Sequence, residues 1–277
     1  MKRFALNRLQ RALMPALLLL AGLGGVAPVD AAVQGREVVY QVDGSTFTGY
    51  LAWDDALSGP RPGVLVVHEW WGHNAYARHR AEMLAHLGYT AFALDMYGSG
   101  KLADHPDTAQ KFMQAAMADP KRLQRRFVSA MRILQAQPDV ESGNIAAIGY
   151  CMGGGIVLNM ARAGLPLKAV AVFHGSLGTN TPAQAGAVKA EIAVFTGADD
   201  PYAPPETVVA FEREMKAAGV RYSLVSYPGA KHSFTNPDAD GFAGRFGMPL
   251  AYDAAADADS WRRMKALLNR TLRGGDR

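Results

Sequence analysis

The chain has 277 residues, 49% of them apolar, with 29 basic side chains, 25 acidic ones and a single cysteine. Four of the basic residues and one of the acidic residues fall within residues 1–31, so the remainder carries 25 against 24 and is nearly neutral. That balance gives no basis for a nucleic-acid patch or an acidic polymer as partner, one cysteine excludes an internal disulfide, and the length fits one sizeable α/β core.

The first stretch has leader anatomy. Lys2, Arg3, Arg8 and Arg11 precede an apolar segment of residues 12–29, and Val29-Asp30-Ala31 fits a small-x-small cleavage site. Pro15, Gly22, Gly24 and Gly25 make that segment a poor membrane-spanning helix. The expectation is a signal peptide over residues 1–31, cut after Ala31. An exported, periplasmic or secreted chain of residues 32–277 would then fold as one domain with no membrane anchor left, and a monomer is favoured.

Two alternating runs, residues 38–42 and 47–52, flank Asp43-Gly44-Ser45 and predict an antiparallel hairpin. Residues 63–67 form a β-branched run typical of a strand buried on both faces, which ends at His68-Glu69-Trp70-Trp71-Gly72-His73. A helix over residues 76–87 stops at Gly88, and a second buried strand, residues 90–94, ends at Asp95-Met96-Tyr97-Gly98. Residues 107–137 read as helix, interrupted at Asp119-Pro120, whose proline can open a second helix. Further strands are predicted over residues 145–148, 169–173, 192–196 and 222–227, and helices from residue 156, over 205–218 and over 253–272. Residues 180–190 and 236–249 read as loops. The pattern predicts a mostly parallel central sheet of about eight strands, with the antiparallel hairpin at its N-terminal edge and helices on both faces. Polar residues repeatedly follow the carboxyl ends of apolar runs, where an open parallel sheet forms its ligand crevice.

Cys151 sits between Gly149 and Gly153, where the apolar run 145–148 meets a helix-like segment. This is the nucleophile-elbow spacing G-x-S-x-G with sulfur in place of oxygen. Glycines leave room where strand and helix approach, and the N-terminus of the helix favours a thiolate. Most lone cysteines are buried structural side chains, but glycines on both sides make that a costly way to pack one. An imidazole can take the thiol proton and a carboxylate can orient the imidazole. The chain order Cys151, then Asp199 or Asp200, then His232, each after its own strand, is the α/β-hydrolase order.

These segments resemble the dienelactone hydrolase family, a branch of the α/β-hydrolases with a cysteine nucleophile. The resemblance spans roughly residues 38–272 through His68-Glu69-Trp70-Trp71-Gly72, Asp95-Met96-Tyr97, Gly149-Tyr150-Cys151-Met152-Gly153-Gly154, Gly197-Ala198-Asp199-Asp200-Pro201 and His232-Ser233-Phe234. It implies an α/β-hydrolase fold and cleavage of small esters or lactones through a Cys151, His232, Asp200 triad and an acyl-enzyme. Asp200 is selected by the family's D-x-[FY]-x-P segment, here Asp200-Pro201-Tyr202-Ala203-Pro204. It also implies that Glu69 holds the resting thiol out of line. The oxyanion donors expected from the elbow and from the loop after residues 64–67 are the backbone N–H groups of Met152 and Trp70. Relatives that take carboxylate-bearing dienelactones carry arginines where this chain has Ser99 and Asn236, so an anionic lactone would need Lys101 or Arg245 to reach in.

Trp71, Tyr97 and Tyr150 are expected to line the substrate pocket, though aromatic residues at sheet ends are as often core. His174 reads as a hydrogen-bonded structural histidine. His68 and His73 are five residues apart and follow a buried strand, so they would not share a helix face as zinc ligands do. Neither a metal nor any other cofactor is expected. A reading from another class is a non-catalytic ligand-binding or thiol redox-sensing protein on the same fold.

Overall fold

The computed structural model describes residues 33–275. The expected leader, residues 1–31, lies outside the described residues. Strands β1 (Val33–Val42) and β2 (Ser45–Asp54) form the hairpin around Asp43-Gly44. Then follow β3 (Arg61–Val67), α1 (Ala75–Ala85), β4 (Thr90–Leu94), α2 (Pro106–Met117), α3 (Pro120–Gln135), β5 (Val140–Tyr150) and α4 (Met152–Arg162). The remainder is β6 (Ala169–Phe173), β7 (Glu191–Gly197), α5 (Pro205–Ala217), β8 (Tyr222–Tyr227), α6 (Ala239–Phe246) and α7 (Ala254–Leu272).

The eight strands make one sheet in the order β1-β2-β4-β3-β5-β6-β7-β8. β1 and β2 are antiparallel, β2 is antiparallel to β4, and every other pair is parallel. Side chains alternate across the sheet, so Leu65 and Val67 join the core under α3, α4 and α5, whereas Val64 and Val66 join the core under α1 and α7. Strands buried on both faces need apolar residues at every position, which is why β3 and β4 read as unbroken runs.

Helices α1, α2, α3 and α7 begin where the sequence supplies a capping side chain. Asp119 accepts the N–H of Arg122 at 3.0 Å and Pro120 opens α3, which explains the break between α2 and α3. Asp253 caps α7 by accepting from Ala255 and Ala256, both at 3.0 Å. One expectation is corrected: residues 236–249 are not a loop throughout, because α6 lies within them. Its glycines hide it from a propensity reading, yet Phe242 and Phe246, four residues apart and each partly buried, stack on Trp71 at 4.3 and 6.3 Å and give the helix an apolar side.

Candidate active site

The parallel strands deliver their functional residues to one edge of the sheet. Cys151 follows β5 at φ 52° in the N-cap position of α4, and its side chain, which makes no cap bond to the helix, is partly buried at the edge of the sheet. The close approach leaves no room for side chains at the flanking glycines: a Cβ on Gly149 would lie 2.2 Å from the Gly153 carbonyl oxygen, and one on Gly153 would lie 2.4 Å from that of Val67.

His232 follows β8 and turns Nε2 toward Cys151 Sγ at 3.1 Å, while its Nδ1–H donates to Asp200 Oδ2 at 2.8 Å. Asp200 follows β7, is buried, and accepts the N–H of Tyr202 through Oδ1 at 2.8 Å; Asp199 is exposed. The contact with His232 thus separates the two aspartates that sequence order alone leaves equivalent. Burial disfavours the His232 imidazolium, but the charge of Cys151 and the hydrogen bond to Asp200 outweigh it, pushing the histidine up from 6.5 to about 10.

A cavity of about 390 Å³ opens over Cys151 and His232. Its walls are mainly apolar, from Trp70, Met113, Met152, Met248 and Leu250, with Gln110, Ser176 and Tyr202 adding polar atoms. Three expected pocket residues lie elsewhere. Trp71 is buried against α6, Tyr150 is stacked on Phe173 at 4.7 Å, and Tyr97 is buried beneath the cavity floor with its hydroxyl donating to the Trp70 carbonyl at 2.9 Å. Each ring packs against neighbouring elements away from the cavity, a direction that sequence spacing does not encode. Tyr202 was visible in sequence only as part of the aspartate segment. In the structure it stands half-exposed with its ring edge-on to His232 at 4.8 Å.

Glu69 does not hold the thiol as the resemblance implies. Its oxygens accept from Ser233 Oγ at 2.9 Å and Asn236 Nδ2 at 2.6 Å, and the thiol faces His232 instead. Burial pushes the Glu69 carboxyl up, with the hydrogen bonds from Asn236 and Ser233 opposing it. Asn236 is therefore a buried partner of Glu69, and Ser99 bonds to Thr48 at 2.7 Å. Lys101 lines a separate cavity beside Arg78, and Arg245 lies over the Phe246 ring at 4.9 Å, so neither reaches the cavity over Cys151.

His174 is the hydrogen-bonded buried histidine expected. Its Nδ1 accepts the N–H of Cys151 at 3.2 Å, which leaves Nε2–H to donate to Thr235 Oγ1 at 2.7 Å. Among the described residues, the N–H groups of Trp70 and Met152 have no protein acceptor. Two free donors beside an elbow suit a developing oxyanion.

A mostly parallel sheet with an elbow cysteine, and with an aspartate and a histidine on later strand ends, defines an α/β-hydrolase fold. The family model described as "Dienelactone hydrolase family" matches residues 47–272. A crystal structure of a dienelactone hydrolase-like promiscuous phosphotriesterase from metagenomic libraries superposes with TM-score 0.82 at 38% identity, covering 87% of this chain and 99% of that one. Protein usf of Aquifex pyrophilus is 27% identical over 234 residues, which are 82% of this chain and 94% of that one. A protein of Escherichia coli K12, provisionally named as a carboxymethylenebutenolidase, is 29% identical over 267 residues, 92% of this chain and 93% of its own. The chain belongs to the dienelactone hydrolase family, and it is a hydrolase of ester or lactone bonds.

Proposed function

We propose that the protein cleaves small, uncharged esters or lactones by covalent catalysis at Cys151. The observation that carries this reading is the relay of Cys151, His232 and Asp200, with contacts of 3.1 and 2.8 Å, at the base of an apolar cavity. Cys151 Sγ attacks the substrate carbonyl carbon, forming a C–S bond, and the carbonyl electron pair moves onto oxygen. The N–H groups of Met152 and Trp70 hold that oxyanion. Its collapse breaks the C–O bond, and the leaving alkoxide takes the proton from His232. Water then gives a proton to His232 and attacks the thioester, and the thiolate leaves with the acid released. Asp200 keeps His232 in the tautomer and orientation that both proton transfers need.

Replacement of Cys151 by alanine should abolish hydrolysis of a nitrophenyl ester while leaving the far-ultraviolet circular dichroism unchanged. Mass spectrometry of the wild-type protein should show an acyl group on Cys151 that disappears with turnover. Full turnover by C151A removes the mechanism. A reversible sulfenic acid with no acyl adduct favours a redox sensor instead.

The same reading takes residues 1–31 as an export signal; Edman sequencing of protein from the periplasmic fraction should begin at Ala32.

A further inference from the structure

Two side chains beside the oxyanion donors have no part in the chemistry above. His68, at the end of β3, is buried, and its Nε2 accepts the N–H of Met96 at 3.1 Å. That contact fixes the tautomer, so the proton is on Nδ1, which donates to the Glu69 carbonyl at 2.5 Å. The same carbonyl takes the N–H of Gly72 at 3.2 Å. The Glu69 carbonyl and the Trp70 N–H belong to one planar trans peptide and point in opposite directions. Two donors on the carbonyl therefore fix the plane in which the Trp70 N–H lies, and they polarise that N–H into a stronger donor.

The other side of Trp70 is held as well. Its own carbonyl accepts the Tyr97 hydroxyl at 2.9 Å, and that hydroxyl also lies 3.1 Å from Met152 Sδ. Tyr97 is thus in contact with both cavity-lining residues whose N–H groups have no protein acceptor among the described residues. The His68 and Tyr97 rings pack edge to face at 5.0 Å, so the two supports brace each other. Burial lowers the histidine and raises the tyrosine, and both keep a neutral, donating form through the neutral pH range.

We propose that His68 and Tyr97 are positioning residues for the oxyanion hole: His68 orients and polarises the peptide that carries the Trp70 N–H, and Tyr97 ties Trp70 to Met152. The inference rests on the Cys151-centred mechanism. It differs from a general packing role in one respect. It affects reactions that develop negative charge on oxygen and leaves the thiol's nucleophilicity alone.

Acylation by a nitrophenyl ester and alkylation by iodoacetamide separate the two, because alkylation at a saturated carbon forms no oxyanion. Tyr97→Phe removes one oxygen atom and should slow acylation about tenfold, a fraction of the loss for deleting an oxyanion donor outright. Its KM should stay within about twofold and its alkylation rate should match wild type, since the lost interaction is made only in the transition state. His68→Leu should slow acylation at least as much. His68→Asn, whose amide nitrogen can take the place of Nδ1, should recover most of the rate. Wild-type acylation by Tyr97→Phe, or alkylation slowed in parallel with acylation, overturns the inference. C151A run alongside distinguishes that failure from failure of the mechanism: an inactive C151A leaves the mechanism standing, and an active one removes both.

Discussion

The backbone N–H of Cys151 is shared between Nδ1 of His174, 3.2 Å away, and the Phe173 carbonyl at 3.0 Å, and Cys151 and His174 both lie at positive φ, 52° and 39°. A non-glycine residue persists there only when its surroundings fix it. His174→Leu removes one of the two acceptors of the Cys151 N–H, leaving the Phe173 carbonyl at 3.0 Å, and one of the two partners of Thr235 Oγ1, leaving the Tyr76 hydroxyl at 2.6 Å. It should cost about 1–2 kcal/mol in urea denaturation, the net worth of the one or two buried hydrogen bonds lost. His174→Asn keeps an acceptor and tolerates the left-handed backbone, so it should recover most of that loss. Equal stability of the leucine and asparagine variants would show that the contact contributes nothing.

The elbow glycines make a steric prediction. A Cβ on Gly153 would meet the carbonyl oxygens of Val67 and His68 at 2.4 and 2.6 Å, and these are backbone atoms of the sheet core that cannot swing aside. Gly153→Ala should therefore lose more than about 4 kcal/mol or fail to accumulate in soluble form. Gly143→Ala, where a Cβ meets nothing within 4 Å, should stay within about 0.5 kcal/mol of wild type. Thermal scans of the two proteins provide the comparison.

These two sites show what could be read from the sequence and what could not. Glycine spacing, strand ends and the order of nucleophile, acid and base are local features, so Cys151, the aspartate pair and His232 are legible in the sequence alone. The strands were visible too, because β3, β4, β6 and β7 are apolar at nearly every position. The pocket was not. Whether Trp70 or Trp71 faces the cavity depends on α6 covering Trp71, and α6 itself is masked by Gly241 and Gly244. Asn236 looked like loop polarity because its partner, Glu69, is 167 residues away in the chain.

The histidine sets a pH dependence of stability. His232 lies near 6.5 when unfolded and about 10 in the fold, so the folded state binds its proton more tightly. Its contribution is complete below about pH 6.5 and is lost as pH rises through about 10. Unfolding free energy should accordingly fall across that interval in urea titrations. C151A removes the largest of the influences that raise the histidine, so its slope should be shallower, and Asp200→Asn should act in the same direction. Identical slopes in wild type and C151A would mean that Cys151 and His232 are not coupled.

Substrate charge follows from what surrounds the thiol. Apart from His232, no ionisable cation lines the cavity among the described residues; Asn236 is committed to Glu69 and Ser99 to Thr48. A carboxylate entering such walls loses hydration without gaining a partner, and an unpaired buried charge is strongly disfavoured. A neutral short-chain ester should be turned over at least about tenfold faster, by kcat/KM, than its carboxylate-bearing analogue, a difference of about 1.4 kcal/mol. Met113 projects into the cavity from α2, where a longer cationic side chain can keep its charged end near solvent while reaching the substrate. Met113→Arg should narrow or reverse the preference, mainly through KM for the anionic substrate, because a guanidinium pairs with a carboxylate before any bond is broken. If the wild-type protein already favours the carboxylate-bearing ester, the apolar cavity is not what selects the substrate.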